Sequence, residues 1–560
     1  LVVVSLPFVF AAWLLARLGV TLPWARVLGV LPAAFLGAAI ILLLVDNFSL
    51  TVFGWGVRNA EGHILWVYRT LTAGSLFITA WIFYRLLDGR YSQGVFRIIL
   101  LASGFLSLIA VPLFFALNTS ASAPVFKTVG SQKGLPNILI LSGDGLSASH
   151  LSLYGYKRPT TPFMESIQDE FLIAENQFSN ASDTGGSVIS LLSGKFPTTT
   201  RVIYPPDTLQ GDDAYQHLPG ILRASGYYNV DISLRHYADP QDLNMREAFD
   251  EANFRKLSES GGRLLAALRR YPKLSQASQL SDRISERLYL RAMHIWGNLP
   301  MPIPAVEVDA PDKRWVRDHH RMAEIRRVVK EAPRPFFLHV HAMGTHGKTF
   351  KPSERVWSSH DGSDEVWSLD GYDDAILDFD RMLAEVYQLL RDKQLLNKTI
   401  LVVSSDHGFR HSATQRLPLL IRVPGASING RLGGNTQRLD IAPTLLDLLE
   451  IPVPGWMEGT SLVDPEFNGH GRFIFATGTA TSRSLDGRFW TVSSPQPPWY
   501  TLGRLVLVHC DRAFMLELDG MTLAEVPVRG STATCDEGLS SDAALALMKQ
   551  HLRERGYAWN

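Results

Sequence analysis

Four short apolar runs frame most of this chain: NILIL at Asn137–Leu141, NVDIS at Asn229–Ser233, FFLHVH at Phe336–His341 and TILVV at Thr399–Val403. Each has the length of a strand. Helical patterns lie between them at Leu218–Ala224, Trp315–Lys330 and Asp373–Leu390. Such alternation predicts an α/β fold with a mainly parallel sheet covered by helices on both faces. Ligands bind beyond the carboxyl ends of the strands in these sheets. The residues that follow each run are therefore where chemistry is expected.

Those residues are rich in metal-binding side chains. The first run continues into Ser142-Gly143-Asp144-Gly145, the third into Ala342-Met343-Gly344-Thr345-His346-Gly347, and the fourth into Ser404-Ser405-Asp406-His407-Gly408. Three distant segments thus bring Asp144, His346, Asp406 and His407 to one sheet edge. A lone Asp or His after a strand is ordinarily a cap or a surface residue; the joint pattern is not explained that way. Carboxylate and imidazole together suit one divalent ion, zinc or manganese, better than calcium or magnesium. A further segment, Ser182–Pro197, reads as a short apolar helix with Asp183 and Thr184 at its start and Gly194 at its end. A hydroxyl there faces free N–H groups and the positive end of the helix dipole, which stabilise an alkoxide and an anion it attacks. Thr184 is the nucleophile expected from this placement, although alone it would be read as a cap.

The first ~120 residues differ in kind. Apolar stretches run over Leu1–Leu15, Val27–Val45, Ile64–Leu87 and Phe96–Leu117. A spanning helix needs about 20 mainly apolar residues, so a multi-pass membrane region is expected over 1–117, followed by a polar linker over 118–134. A cleavable signal peptide would explain one such stretch, not four. The chain begins at Leu1 within an apolar run, as a fragment or processed form would, with an upstream helix expected to be missing. Arg17 and Arg26 mark the first connection and Arg85, Arg90 and Arg97 the third, which places both in the cytoplasm and everything after Leu117 outside. The two cysteines, Cys510 and Cys535, then lie where a disulfide is permitted, two buried thiols being the alternative. Basic and acidic residues balance at 54 each, which gives no sign of a nucleic-acid partner.

With these motifs in place the chain resembles the alkaline phosphatase superfamily, in its sulfatase and phosphoethanolamine or phosphoglycerol transferase branches. The resemblance covers about Pro136–Leu462 and rests on ordered segments: NILILSGDGLSASHLSLYGYKRPTTPFMESI, TGGSVISLLSGKFP, LPGILRASGYYNVDISLRH, PFFLHVHAMGTHGKTFKP, GYDDAILDFDRMLAEV, ILVVSSDHG and LDIAPTLLDLLEIPVPGWMEGTSL. It implies an alkaline-phosphatase-like catalytic domain over 135–465 and a small β-rich subdomain over 466–560. It also implies that Asp144, Thr184, Asp406 and His407 hold the metal, with Thr184 as nucleophile. His346 would contact the transferred group or protonate the leaving group. His236 falls at a sulfatase active-site position, and Arg355 and His411 are further substrate-side candidates. The departures are specific. Thr184-Gly185-Gly186-Ser187-Val188 replaces the Cys-x-Pro-x-Arg of formylglycine sulfatases, Gly145 replaces the second Asp of their Asp-Asp pair, and Leu234 stands where they place a Lys. These features look more like lipoteichoic acid synthases and phosphoethanolamine transferases, which typically have Glu where this chain has Asp144.

The resemblance and the apolar N-terminal region together imply a membrane-anchored transferase. It would take a phospho head group from a membrane lipid through a phospho-threonine to an envelope glycan or lipid acceptor. Alternatives are a hydrolase of sulfuric esters or phosphodiesters, and an inactive sulfatase-like binding module. Residues Phe254–Pro300 fit the resemblance poorly and read as a surface helical insertion or as a basic amphipathic element on the bilayer.

Overall fold

The computed structural model describes residues 23–87 and 134–558, with breaks at 54–55, 58–59, 61, 88–133, 206, 236, 257–283, 285–286, 298–317, 360–365, 480, 484–489, 493–498, 534 and 536–537. The apolar stretches Leu1–Leu15 and Phe96–Leu117, nearly all of the linker, and His236 lie outside the described residues. The chain divides into two compact units, Leu1–Ser122 with Ala267–Ile303, and Ala123–Ala266 with Pro304–Asn560.

The first unit contains helices α1 (Pro23–Phe53) and α2 (Gly62–Leu87), which cover the expected stretches Val27–Val45 and Ile64–Leu87. The expectation of spans there needs correction: among the described residues no helix is long and apolar enough to cross a membrane. Asp46 interrupts α1, and His63, Arg69 and Arg85 interrupt α2. Large apolar side chains nevertheless face outward, among them Phe35, Leu44 and Phe48 on α1 and Trp66, Phe77 and Trp81 on α2. Residues 287–297, from the poorly fitting insertion, are helical and belong to this unit. Ile295 packs in a small core with Leu42, Val57, Ala60 and Tyr68. Arg291 pairs with the buried Asp46 at 2.5 Å, Arg69 Nε donates to Ile295 O at 2.7 Å, and His294 Nε2 lies 3.0 Å from Ala60 O.

The second unit is built on a nine-stranded sheet. Its strands are β1 (Asn137–Gly143), β2 (Leu172–Phe178), β3 (Tyr228–Ile232), β4 (Glu251–Ala252), β5 (Arg255–Lys256), β6 (Phe336–Ala342), β7 (Thr399–Ser405), β8 (Leu419–Arg422) and β9 (Gly430–Gln437), in the order β5-β4-β3-β6-β1-β7-β8-β2-β9. The four strands read from the sequence form the parallel centre, and β8 and the β4–β5 pair add antiparallel contacts. Alternation decides the layers. Leu139 and Leu141 face a core with helices α5 (Asp318–Glu331) and α6 (Leu369–Asp392). Ile138 and Ile140 face α3 (Thr184–Ser193), α4 (Leu218–Ala224) and α7 (Ile441–Leu448). β1 lies between β6 and β7, with Gly143 level with both Ala342 and Ser405. The chain therefore leaves three neighbouring strands at one height, in the crevice where the strand order reverses.

A separate antiparallel sheet, β10 (Phe473–Thr479), β13 (Leu502–His509), β14 (Arg512–Glu517) and β15 (Thr522–Pro527), follows, with a small β11 (Thr481–Arg483) and β12 (Trp490–Val492) pair. Helix α8 (Ser541–Glu554), which the sequence reading did not foresee, covers that sheet through Ala544, Met548 and Leu552. Ser540 caps it by accepting from Ala543 N. Cys510 and Cys535 are joined as a disulfide with Cα atoms 6.0 Å apart.

Candidate metal centre

The segment after β1 is shaped to present Asp144. Gly145 adopts φ +66, a left-handed conformation that suits glycine, with His407 beside it. This accounts locally for glycine at the position of the second sulfatase Asp. Tyr372 Oη donates to Gly145 O at 2.6 Å and accepts from Ser147 N at 2.9 Å. Thr345 Oγ1 donates to Asp144 O at 2.5 Å. Asp144 itself is 1% exposed. Burial works against its charge, but His346, His341 and His407 outweigh it and hold the carboxyl far below its ordinary range.

Asp406 and His407 leave β7 opposite Asp144. Asp406 Oδ1 accepts from Gly145 N at 2.9 Å and from His407 N at 2.8 Å. Its Oδ2 lies 3.3 Å from His407 Nε2, which lies 3.7 Å from Asp144 Oδ1. His407 Nδ1 is 3.0 Å from Gly408 O. Donation there leaves Nε2 with a lone pair directed at the carboxylates, a usual arrangement for a metal-binding histidine. Burial opposes a charged His407 ring, but Asp406 and Asp144 prevail and raise its pKa. Asp144 Oδ1 and Asp406 Oδ2 are buried without a hydrogen-bond partner among the described residues. Buried carboxylate oxygens left bare are costly unless a cation meets them, so the donor set fits a divalent ion.

α3 reaches the same place. Ser187, in its first turn, donates Oγ to Asp406 O at 2.6 Å, and Ser179 Oγ bonds the same carbonyl at 2.5 Å. The first bond of the helix is Ser187 N to Asp183 O, so the N–H groups of Thr184, Gly185 and Gly186 have no intrahelical partner. Glycines are required here by close approach. A Cβ on Gly185 would meet Tyr237 O at 3.0 Å, and one on Gly186 would meet Val202 O at 3.1 Å. The sequence reading placed Asp183 and Thr184 as caps; that needs correction. Thr184 is the first helical residue, and Asp183 occupies the cap position without a side-chain capping bond. Its carboxylate accepts from Ser182 Oγ at 3.0 Å instead. Burial pushes the Asp183 carboxyl up to about 6, with Ser182 and His407 opposing and Asp406 assisting.

Other predicted residues are placed as follows. His346 follows β6, with Nδ1 lacking a partner, and its ring lies 5.7 Å from that of His411. His411 Nδ1 is 3.2 Å from His407 Nε2, so both histidines border the centre. Arg355 bonds Ser358 Oγ and Ser359 O within its own loop. Two contributors were not singled out from sequence. His341, at the end of β6 and fully buried, places Nε2 3.0 Å from Asp144 Oδ2 and 3.8 Å from Asp406 Oδ2. The signal was the alternation His339-Val340-His341, which puts two histidines on one strand face. Arg438 is also fully buried and joins α3 to the central strands, donating to Ser187 O at 3.1 Å, Ser404 Oγ at 3.1 Å and Ser405 O. Burial brings its guanidinium down to about 10, against the pull of Asp406.

The remaining motifs are supports. His150, Tyr156 and Arg158 converge on Asp373 of α6, while Asp374 holds the backbone N–H groups of Val356, Trp357 and Ser358. Asp440 binds Arg472 at 2.5 and 2.8 Å. β10 bonds the segment that leads into α3, with Thr477 N donating to Asn180 O and Ser182 N donating to Thr477 O.

Residues 136–451, more than half of the chain, match the sulfatase family. The chain belongs to the sulfatase family. Arylsulfatase K of Bos taurus is 36% identical over 96 residues, 15% of this chain and 18% of that protein. Human N-acetylgalactosamine-6-sulfatase is 24% identical over 291 residues, 49% of this chain and 50% of that protein. The chain thus spans half or less of the length of these relatives. The phosphonate monoester hydrolase SpPMH from Silicibacter pomeroyi shares the fold with a TM-score of 0.50 at 16% identity, covering 75% of this chain and 95% of that one. The chain is a sulfatase-like enzyme of the alkaline phosphatase superfamily with an alkaline-phosphatase-like α/β fold.

Proposed function

We propose that this sulfatase-family chain is a membrane-attached transferase that carries a phospho head group on Thr184 from a lipid donor to an envelope glycan or lipid acceptor. The carrying observation is Thr184 at the start of α3, whose first turn is bonded to Asp406, at the position where formylglycine sulfatases have their Cys. A threonine cannot become formylglycine, so a covalent intermediate here is an ester of its own hydroxyl.

Asp144, Asp406 and His407, with Thr184, would hold one divalent ion, zinc or manganese. When bound it would supply positive charge to the non-bridging oxygens and lower the hydroxyl pKa. Thr184 Oγ1 forms the bond to phosphorus while the bond to the diacylglycerol oxygen breaks. His346 gives that oxygen its proton. An acceptor hydroxyl then attacks the same phosphorus, its proton passes to His346, and the Thr184 oxygen is released. The free N–H groups of the first α3 turn favour the anionic group being transferred.

Three observations support a place at the membrane with the catalytic unit outside. Outward-facing Phe35, Leu44, Trp66 and Phe77 suit a lipid environment for the helical unit. The disulfide suits an oxidising compartment. Residues 287–297, which interrupt the catalytic sequence, pack on Asp46, Val57 and Ala60. That puts the connection between α1 and α2 on the catalytic side, as the arginine distribution requires.

The test is incubation of the full chain with lipids bearing labelled head groups, followed by mass analysis of the Thr184 peptide. An adduct that passes to an added glycan or lipid acceptor supports transfer. Hydrolysis is the second reading, favoured by the likeness to sulfatases, and an adduct discharged only to water would establish it. A purified chain that takes up no metal and forms no adduct would instead be an inactive binding module.

A further inference from the structure

The metal ligands expected from sequence include one histidine, His407. Resting on the metal reading above, we infer that His341 is a second imidazole ligand, so that two strands, β6 and β7, each contribute one histidine to the ion.

The argument is geometric. Zinc bonds to nitrogen and oxygen are about 2.0–2.1 Å long, which puts neighbouring tetrahedral ligand atoms about 3.3–3.4 Å apart. The four carboxylate–imidazole separations scatter around that value. His341 Nε2 lies 3.0 Å from Asp144 Oδ2 and 3.8 Å from Asp406 Oδ2; His407 Nε2 lies 3.7 Å from Asp144 Oδ1 and 3.3 Å from Asp406 Oδ2. The two carboxylates are therefore bracketed by an imidazole on each side. Donor atoms of Asp144, His341 and Asp406 all lie within 4.8 Å of one another.

Backbone register explains why His341 reaches this point. It pairs with Ser142 on β1, one residue before the level from which Asp144 departs. Its side chain points to the α3 face, the same side as Phe337. The alternative is that His341 is only a hydrogen-bond donor to Asp144 Oδ2. Its Nδ1 lacks a partner in either case and does not discriminate. The bare Asp406 Oδ2 does: a donor bond to Asp144 leaves that oxygen unmet, whereas an ion shared by His341, His407 and both carboxylates meets it. A site with two imidazoles also selects zinc-class ions over calcium and magnesium, which take oxygen ligands.

Zinc X-ray absorption spectroscopy on the zinc-loaded full chain counts imidazoles without reference to turnover. Two imidazoles per zinc are expected in the native protein and one in His341→Gln, which retains a donor for Asp144 and fills similar space. One imidazole in the native protein would overturn the assignment and leave the Asp144–Asp406–His407 reading standing. No zinc uptake by the native protein would overturn both. If His341→Gln fails to fold, the native count alone decides.

Discussion

The role of Thr184 can be isolated because it is not a cap. Thr184→Val keeps the branched shape in a site only 7% exposed and removes only the hydroxyl. Asp183 holds the cap position, so no capping bond is lost. Val and Thr have similar helix propensities, and a methyl in place of the hydroxyl changes burial by about 1 kcal/mol. The unfolding free energy should therefore move by no more than about 1 kcal/mol, measured by urea denaturation. Thr184→Ala should behave similarly, because the lost methyl, about 0.8 kcal/mol, is largely offset by the better helix propensity of alanine. The reaction is affected on another scale. Without the hydroxyl the covalent route is absent, and a loss of at least about 10³-fold is expected, about 4 kcal/mol in the barrier. Thr184→Ser keeps the nucleophile and should retain measurable turnover and a covalent adduct. The paired assay is turnover of a labelled phospholipid and mass detection of the modified peptide. A folded Thr184→Val variant with near-native turnover would falsify the mechanism.

Replacing Arg438 with Met should lower stability by roughly 3 kcal/mol, since Ser187 O, Ser404 Oγ and Ser405 O lose their donor; an unchanged urea midpoint would show that these bonds contribute nothing. His217, 1% exposed, accepts from Gly220 N at the start of α4, and burial pulls its pKa down from 6.5 to about 4. The folded state then binds fewer protons than the unfolded one, so stability is full above pH 6.5 and is lost as pH falls towards 4, by roughly 3 kcal/mol at 1.36 kcal/mol per unit. His217→Asn, which can still cap α4, should flatten that part of the stability profile; an identical acid slope would assign it to other groups. Reducing the Cys510–Cys535 bond, which spans 25 residues, should cost about 3 kcal/mol of the C-terminal subdomain in the chain-entropy model, and two alkylatable thiols in unreduced protein would contradict the bond itself.

The sequence was most informative where local pattern and chemistry coincide. β1, β6 and β7 are continuous apolar runs, and the Asp or His after each falls at one sheet edge because parallel strands in register deliver their ends together. Gly194 closes α3 with φ +66, as its position suggested. What stayed hidden depends on partners distant in sequence. His341 reads as part of an apolar strand until β1 is laid beside it. Arg438 reads as a surface charge before a helix, yet its bonds go to α3 and β7. The pairing of β10 with the segment ahead of α3 joins residues almost 300 positions apart, which no local periodicity encodes. The N-terminal stretches gave helices, but apolar content alone did not reveal Asp46 and Arg69 as bonding partners of the later insertion.

That insertion changes what a single proteolytic cut would achieve. The chain passes between its two units at 122/123, 266/267 and 303/304. Cleavage in the polar stretch Asn118–Lys133 yields two fragments, and the larger one still carries residues 287–297. Ion pairing of Arg291 with Asp46, the Arg69 bond to Ile295 and the apolar seat of Ile295 then hold the fragments together without a covalent link. A nicked molecule would remain anchored and would come apart only under conditions that break this docking. Shedding of the catalytic unit by one protease is thus resisted by the path of the chain itself.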